Sequence, residues 1–322
     1  MSAAVEGAAA ATGAARGFET AAADGFPIRG FEWRHAGADA ARPVVIVNAA
    51  TSVRCRYYFR FADYLHTNGF DVVLYDYRGI GESRPSSLRG FDASWSDWGG
   101  LDFEAVLKRV QRDFAGQPVL AVGHSYGGSG IGLAPSAGVL QRVLTVGAQF
   151  AYWRDYLPRQ RLQMVARWHL LMPVLTALWG YFPGQRLGWL EDTPAGVVND
   201  WVYSTERLQD RRSARKALAL GQQVMHFDRV RAPILAITTT DDPFATVPAT
   251  DRLLALYTAS ERQHLRIAPA DVDAPAIGHF AFFHRRFEAT LWPIALAWLR
   301  EGAVPSGFTD KIVDRYTAQP AN

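Results

Sequence analysis

Short, unbroken apolar runs alternate along the chain with longer stretches whose apolar positions recur every three or four residues. The runs are "PVVIVN" (43–48), "DVVLYDY" (71–77), "PVLAV" (118–122), "RVLTVGA" (142–148), "PILAITT" (233–239) and "HLRIA" (264–268). Most are rich in β-branched residues, as strands buried on both faces are. Between them, "YYFRFADYLHTNG" (57–69) puts Phe59, Ala62 and Leu65 on one helical face and stops at Gly69. "LDFEAVLKRVQRDF" (101–114) is a second amphipathic helix, and further helices are expected over 249–257 and 285–299. Residues 17–35 read as two strands joined at Asp24-Gly25, a common hairpin pair. Strands alternating with helices predict an α/β fold, with a mostly parallel sheet covered on both faces.

The alternation lapses over 151–227. Here lies the most apolar window, "WHLLMPVLTALWGYF" (168–182), with Arg167 and His169 at its start and Pro173 inside. It is too short to span a bilayer and reads as a buried or interfacial helix. Five of the ten tryptophans fall in this interruption: Trp153, Trp168, Trp179, Trp189 and Trp201. The expected organisation is a disordered leader over 1–16, a core over 17–150 and 228–301, an inserted helical cap over 151–227 and a tail over 302–322. The leader is alanine-rich, but it lacks a basic start and is interrupted by Glu6, so a secretory signal is not expected there.

Composition narrows the classes. With 49% hydrophobic and 20% charged residues, the chain can fill a core. The net charge of +3 comes almost wholly from arginine and forms no basic run, which speaks against nucleic acid as a partner. The lone cysteine, Cys55, cannot form an internal disulfide; it fits a reducing cytoplasm and reads as a packing residue on a helix. No cofactor or metal is called for. No histidine pair has ligand spacing, and Gly79-x-Gly81 lacks the rest of a phosphate loop.

The strand at 118–122 runs into Gly123-His124-Ser125-Tyr126-Gly127. A serine between two small-residue positions, at a strand-to-helix turn, is held on a sharp bend with its Oγ exposed above the sheet. The Tyr126 N–H would then stand at a helix N-terminus, where negative charge is favoured. Here the chain resembles the α/β-hydrolase family, over roughly residues 17–301. "YDYRGIGES" (75–83) is similar to that family's D-x-R-G-x-G-x-S turn. "VNAATSVRCRYY", "DYRGIGESRPSSLRGF", "FPGQRLG" and "RIAPADVDAPAIGHFAFF" together resemble a bacterial subgroup of predicted α/β hydrolases.

The resemblance implies an order of serine, acid, histidine. His279, after the last core strand and preceded by Gly278, is the expected base, with His284 as the alternative. Asp242, in "PILAITTTDDPF", has the spacing for the acid, with Asp241 as the alternative; the other of the two would cap the following turn. The second oxyanion N–H should come from the loop after 43–48, from Ala50 or else Thr51. Trp153, Leu175 and Trp179 are the candidate substrate-binding residues of the cap, and Arg154 and Arg159 could receive an anionic group. The expectation is a serine hydrolase with a Ser125-His279-Asp242 triad, cleaving an ester of a small-to-medium hydrophobic acyl substrate. Thioesterase, amidase or peptidase, and acyltransferase activities share these residues. So does a weakly catalytic ligand-binding member of the fold.

Overall fold

The computed structural model describes residues 15–37, 39–207, 210, 213–214, 223 and 225–319. Apart from Ala15 and Arg16, which begin the first strand, the expected leader lies outside the described residues.

Nine strands form one sheet: β1 (Ala15–Ala21), β2 (Pro27–Trp33), β3 (Val44–Asn48), β4 (Asp71–Tyr75), β5 (Val119–His124), β6 (Arg142–Val146), β9 (Ile234–Thr239), β10 (Arg262–Ile267) and β11 (Ile312–Tyr316). A separate hairpin holds β7 (Tyr181–Phe182) and β8 (Thr193–Pro194). The large sheet runs β1-β2-β4-β3-β5-β6-β9-β10-β11. From β4 to β10 every pairing is parallel. The flanking pairs β1/β2, β2/β4 and β10/β11 are antiparallel. β3, β4, β5 and β9 are buried along their whole length, the burial that their unbroken apolar sequences call for. This is the α/β architecture that the sequence predicts.

Three boundaries differ from expectation. The last helix begins at Trp292, not at 285; a 3-10 turn, Arg285–Phe287, precedes it, and Pro293 fits only the first helical turn. β10 starts two residues earlier than the apolar run, at Arg262. The tail is not all tail, because Ile312–Tyr316 supplies the sheet's outer strand. Its burial alternates residue by residue, as suits an edge. The Lys311 Nζ sits 3.1 Å from Asp271, and the Arg262 guanidinium lies over the Tyr316 ring, so the strand is anchored at both ends.

Cys55 opens a 3-10 turn and is buried, with its N–H on the Asp76 carboxylate at 2.6 Å. Burial pushes its thiol pKa well up, as a packing role requires.

Between β6 and β9 the chain leaves the sheet. Residues 161–179 form one helical stretch: Arg161–Val165, a π turn over Ala166–Leu171, then Met172–Trp179. Met164, Trp168, Met172 and Thr176 are its buried side, at a strict four-residue repeat. In a plain α-helix such a repeat drifts by about 40° per step. The wider π turn absorbs that drift and keeps the side straight. Trp168 stacks on Trp201 at 4.9 Å, Trp201 faces Trp95, and Asp200 accepts the Trp95 N–H. The insertion is thus fastened to the sheet domain by aromatic packing and a buried carboxylate.

Candidate active site

The C-terminal ends of the parallel strands gather the residues singled out above. β5 ends at His124, and Ser125 follows with φ 53° and ψ −120°, a region that side chains rarely occupy. Its N–H is pinned to the Val146 carbonyl at 2.9 Å. Crowding keeps the positions on either side small. A Cβ on Gly123 would lie 2.5 Å from the Gly128 backbone, and one on Gly127 would lie 2.2 Å from the Asn48 carbonyl oxygen.

β9 leads to the expected acid. Asp242 is 1% exposed, and its Oδ2 is 2.7 Å from His279 Nδ1. A carboxylate can only accept, so Nδ1 carries the proton and Nε2 is left to accept. Nε2 faces Ser125 Oγ at 2.9 Å. The backbone at Gly147 (φ +58°) passes so close that a Cβ there would stand 3.2 Å from His279 Nδ1 and 3.3 Å from Asp242 Oδ2. His284, the alternative base, is exposed and meets Tyr57 edge-on.

The two aspartates divide their work differently from expectation. Asp242 itself holds the following turn, its Oδ1 accepting the N–H groups of Phe244 and Ala245. Asp241 reaches across instead and takes the N–H groups of Ile277 and Gly278 at 2.8 and 2.9 Å. It therefore fixes the loop that carries His279.

Tyr126 opens the helix Tyr126–Ile131 as expected. The assignment of Ala50 needs correction. Its N–H already donates to the Tyr58 hydroxyl at 2.9 Å. The Thr51 N–H, the alternative, has no acceptor among the described residues.

That hydroxyl belongs to a relay which sequence reasoning missed. Tyr58 Oη lies 2.7 Å from His124 Nδ1, and His124 Nε2 lies 2.8 Å from the His279 carbonyl oxygen. The carbonyl can only accept, so Nε2 carries the proton and Nδ1 accepts from Tyr58. Burial pushes the His124 pKa down to about 3, with His279 as the next cause, so the ring is neutral as this tautomer requires. One buried chain of bonds thus ties the loop after β3, the turn at Ser125 and the His279 loop together. Its partners are 66 and 155 positions apart, and no local pattern announces them.

Around His279 stand Phe244 at 4.9 Å and Phe280 at 5.0 Å. Trp168 and Trp201 lie behind Phe244, at 6.1 and 6.3 Å. The three expected substrate residues are placed elsewhere. Trp153 is 38% exposed and lines an open hollow of about 550 Å³ with Tyr152, Arg154 and Glu206. Leu175 packs half-buried against the core, and Trp179 ends its helix half-buried. None of the three makes a ring contact or hydrogen bond with Ser125, Asp242 or His279 among the described residues. They sit on the insertion, but its inner wall is built by other rings.

Two side-chain groups elsewhere bring metal-capable atoms within 4.8 Å: His35, His66 and Asp71, and Asp251, His264 and Asp314. Both are committed to the protein. Asp71 accepts from the His35 N–H and Gln117, and both His264 nitrogens are engaged by Thr238 and Asp251.

A parallel sheet whose strand ends present a strained serine, a histidine and a buried aspartate in hydrogen-bonded line defines the α/β-hydrolase class. The model of the alpha/beta hydrolase family matches residues 44–291, and the chain belongs to that family. It is a hydrolase. Among solved structures it is similar to an esterase of Pyrococcus furiosus (13% identity, 88% of this chain and 91% of that chain, TM-score 0.53). It is also similar to a soluble variant of monoglyceride lipase from Saccharomyces cerevisiae solved with a substrate analogue (14% identity, 91% of this chain and 97% of that chain, TM-score 0.63). A hydrolase from Pseudomonas aeruginosa is a third such structure (15% identity, 90% of this chain and 99% of that chain, TM-score 0.52). At such identities the likeness is one of fold. No curated protein matches the chain. Among the described residues, no helix is long and apolar enough to cross a membrane.

Proposed function

We propose that the chain is a serine hydrolase that cleaves a carboxylic ester of a hydrophobic acyl substrate, with Ser125, His279 and Asp242 as its triad. The observation that carries the reading is the unbroken line from Ser125 Oγ to His279 Nε2 and from His279 Nδ1 to Asp242 Oδ2. Ser125 attacks the carbonyl carbon while His279 Nε2 takes its proton. The charge that develops on the carbonyl oxygen is met by the N–H groups of Tyr126 and Thr51. His279 passes the proton to the leaving alcohol, and Asp242 holds the imidazole and balances its positive form. Water, deprotonated by His279, then releases the acid from Ser125.

In this reading the insertion of 151–227 is a cap over the site. Phe244, Trp168 and Trp201 form an apolar wall beside His279, which suits an acyl chain and offers no charged partner to a polar one. The lone buried cysteine keeps a cytoplasmic setting as part of the proposal. A panel of p-nitrophenyl esters and acyl-coenzyme A thioesters tests it, with a fluorophosphonate as the label for Ser125. Ester turnover and labelling, both lost in Ser125→Ala, are the expected result. Labelling without turnover of any ester would replace the reading with a ligand-binding role, and preference for the thioesters would move it to thioesterase.

A further inference from the structure

The helical stretch 161–179 is apolar on two opposite sides. Its inner side packs on Trp201 and Phe244, as described. Its outer side exposes Leu162, Leu170, Leu171, Val174 and Leu178, with Ala166 and Ala177 between them. Nine large hydrophobic residues are exposed among the described residues, and five of them belong to this stretch. Leu162 is 85% exposed and Leu178 67%. Single exposed leucines are ordinary, but a row of them along one helix marks a surface that meets something apolar.

Charge indicates what that is. No Asp or Glu occurs between Asp155 and Glu191, while Arg159, Arg161, Arg167 and Arg186 do. The carboxylates that bound this interval are already answered from the main domain: Asp155 by Arg252, Glu191 by Arg54 and Asp192 by Arg84. Arg159 and Arg186 are exposed, and Arg167 lies over the Trp189 ring. An apolar row among arginines that have no carboxylate partner among the described residues matches a surface that is hydrocarbon inside and anionic at its rim. A second copy of the chain fits poorly, since two such faces would set arginine against arginine with no carboxylate between them.

We propose that the outer face of 161–179 docks on an anionic lipid bilayer. The leucines enter the boundary of the acyl chains, and the arginines reach lipid phosphates with their stems along the apolar surface. The docked face and His279 lie on opposite sides of one helix: Trp168 is 6.1 Å from Phe244, and Phe244 is 4.9 Å from His279. Docking would therefore bring the pocket wall to the lipid surface and make a lipid ester the natural substrate. That last step rests on the proposed hydrolysis; the docking does not.

The test is cosedimentation of the full chain with phosphatidylcholine vesicles, with and without phosphatidylglycerol. The expected result is binding to the anionic vesicles that weakens with salt and on neutral lipid. Leu170→Ser combined with Leu178→Ser should lower vesicle affinity at least about tenfold. Arg186→Gln should weaken binding several-fold on anionic vesicles alone. Turnover of a short, water-soluble ester should stay within about twofold of wild type in all of them, because these are surface changes. No cosedimentation, or leucine variants that bind like the parent, would overturn the docking. So would a parent dimer that the leucine variants dissolve into monomers, since a second copy would then cover the face. Docking with no ester turnover in any variant would leave the surface standing and remove the proposed hydrolysis.

Discussion

Asp242 has two oxygens and two tasks. One oxygen orders its own turn and the other orients His279. Asp242→Asn should keep the fold and lose activity by several powers of ten, because an amide nitrogen facing Nδ1 reverses the tautomer. Asp241→Asn keeps an acceptor for Ile277 and Gly278, so kcat should fall only modestly. The reverse ranking in steady-state kinetics would assign the acid to Asp241. Ser125→Ala should fold normally and retain less than about a thousandth of kcat; a variant keeping a tenth of it would exclude Ser125 as the nucleophile. Tyr58→Phe strands the Ala50 N–H and His124 Nδ1, and urea denaturation should show a loss of about 1–3 kcal/mol. His124 adds a pH signature. The unfolded chain takes its proton near the ordinary 6.5, while the folded chain waits until about 3. Between these values the unfolded state binds more protons, so this contribution to stability shrinks as pH falls. Asp76, raised by burial to about 6, works the opposite way as pH rises above 3.8. The comparison must therefore be with His124→Phe. The wild-type advantage in urea midpoint should be largest near neutrality and narrow towards pH 3, whereas a constant gap would contradict the buried neutral imidazole.

Elements were legible where burial leaves a periodic trace. β3, β5 and β9 are continuous apolar runs; Ser125 and Asp242 follow the ends of β5 and β9, and His279 follows β10, so all three could be placed by reference to strands. The rings beside His279 left no such trace. Trp168 and Trp179 are both tryptophans of one helical stretch, and only the π turn and the four-residue repeat separate the inner from the outer side. Phe244 follows the acid by two residues and carries no pattern of its own. The proposed pocket should follow the rings that the structure brings together. Activity on p-nitrophenyl esters should rise with acyl length by up to about 0.8 kcal/mol per methylene until the wall is reached. Phe244→Ala or Trp168→Ala should move the optimum to longer chains, while Trp179→Ala should not. If Trp179→Ala alone shifts the profile, the wall lies further along the helix.

At the scale of the whole molecule, the sheet is closed on one side by a strand that the sequence did not reveal. β11 pairs with β10 from Arg262 to His264, shifts register before Leu265, and exposes two of its five residues. It still covers the open N–H and C=O groups of β10, the kind of edge that invites association. Ending the chain after Lys311 should lower Tm and promote aggregation on heating, followed by light scattering. An unchanged melting curve would mean that β10 needs no cover.

Ser125 and His279 stand 154 positions apart. A ribosome working from the N-terminus therefore finishes the turn at Ser125 long before it has made Asp242 or His279. The middle strands can begin to associate while the site is still inert. On the proposed reading, a chain stalled in the insertion would carry Ser125 without His279 and stay blind to fluorophosphonates. In a translation extract, labelling would then act as a clock, appearing only once the segment with His279 has left the exit tunnel and docked.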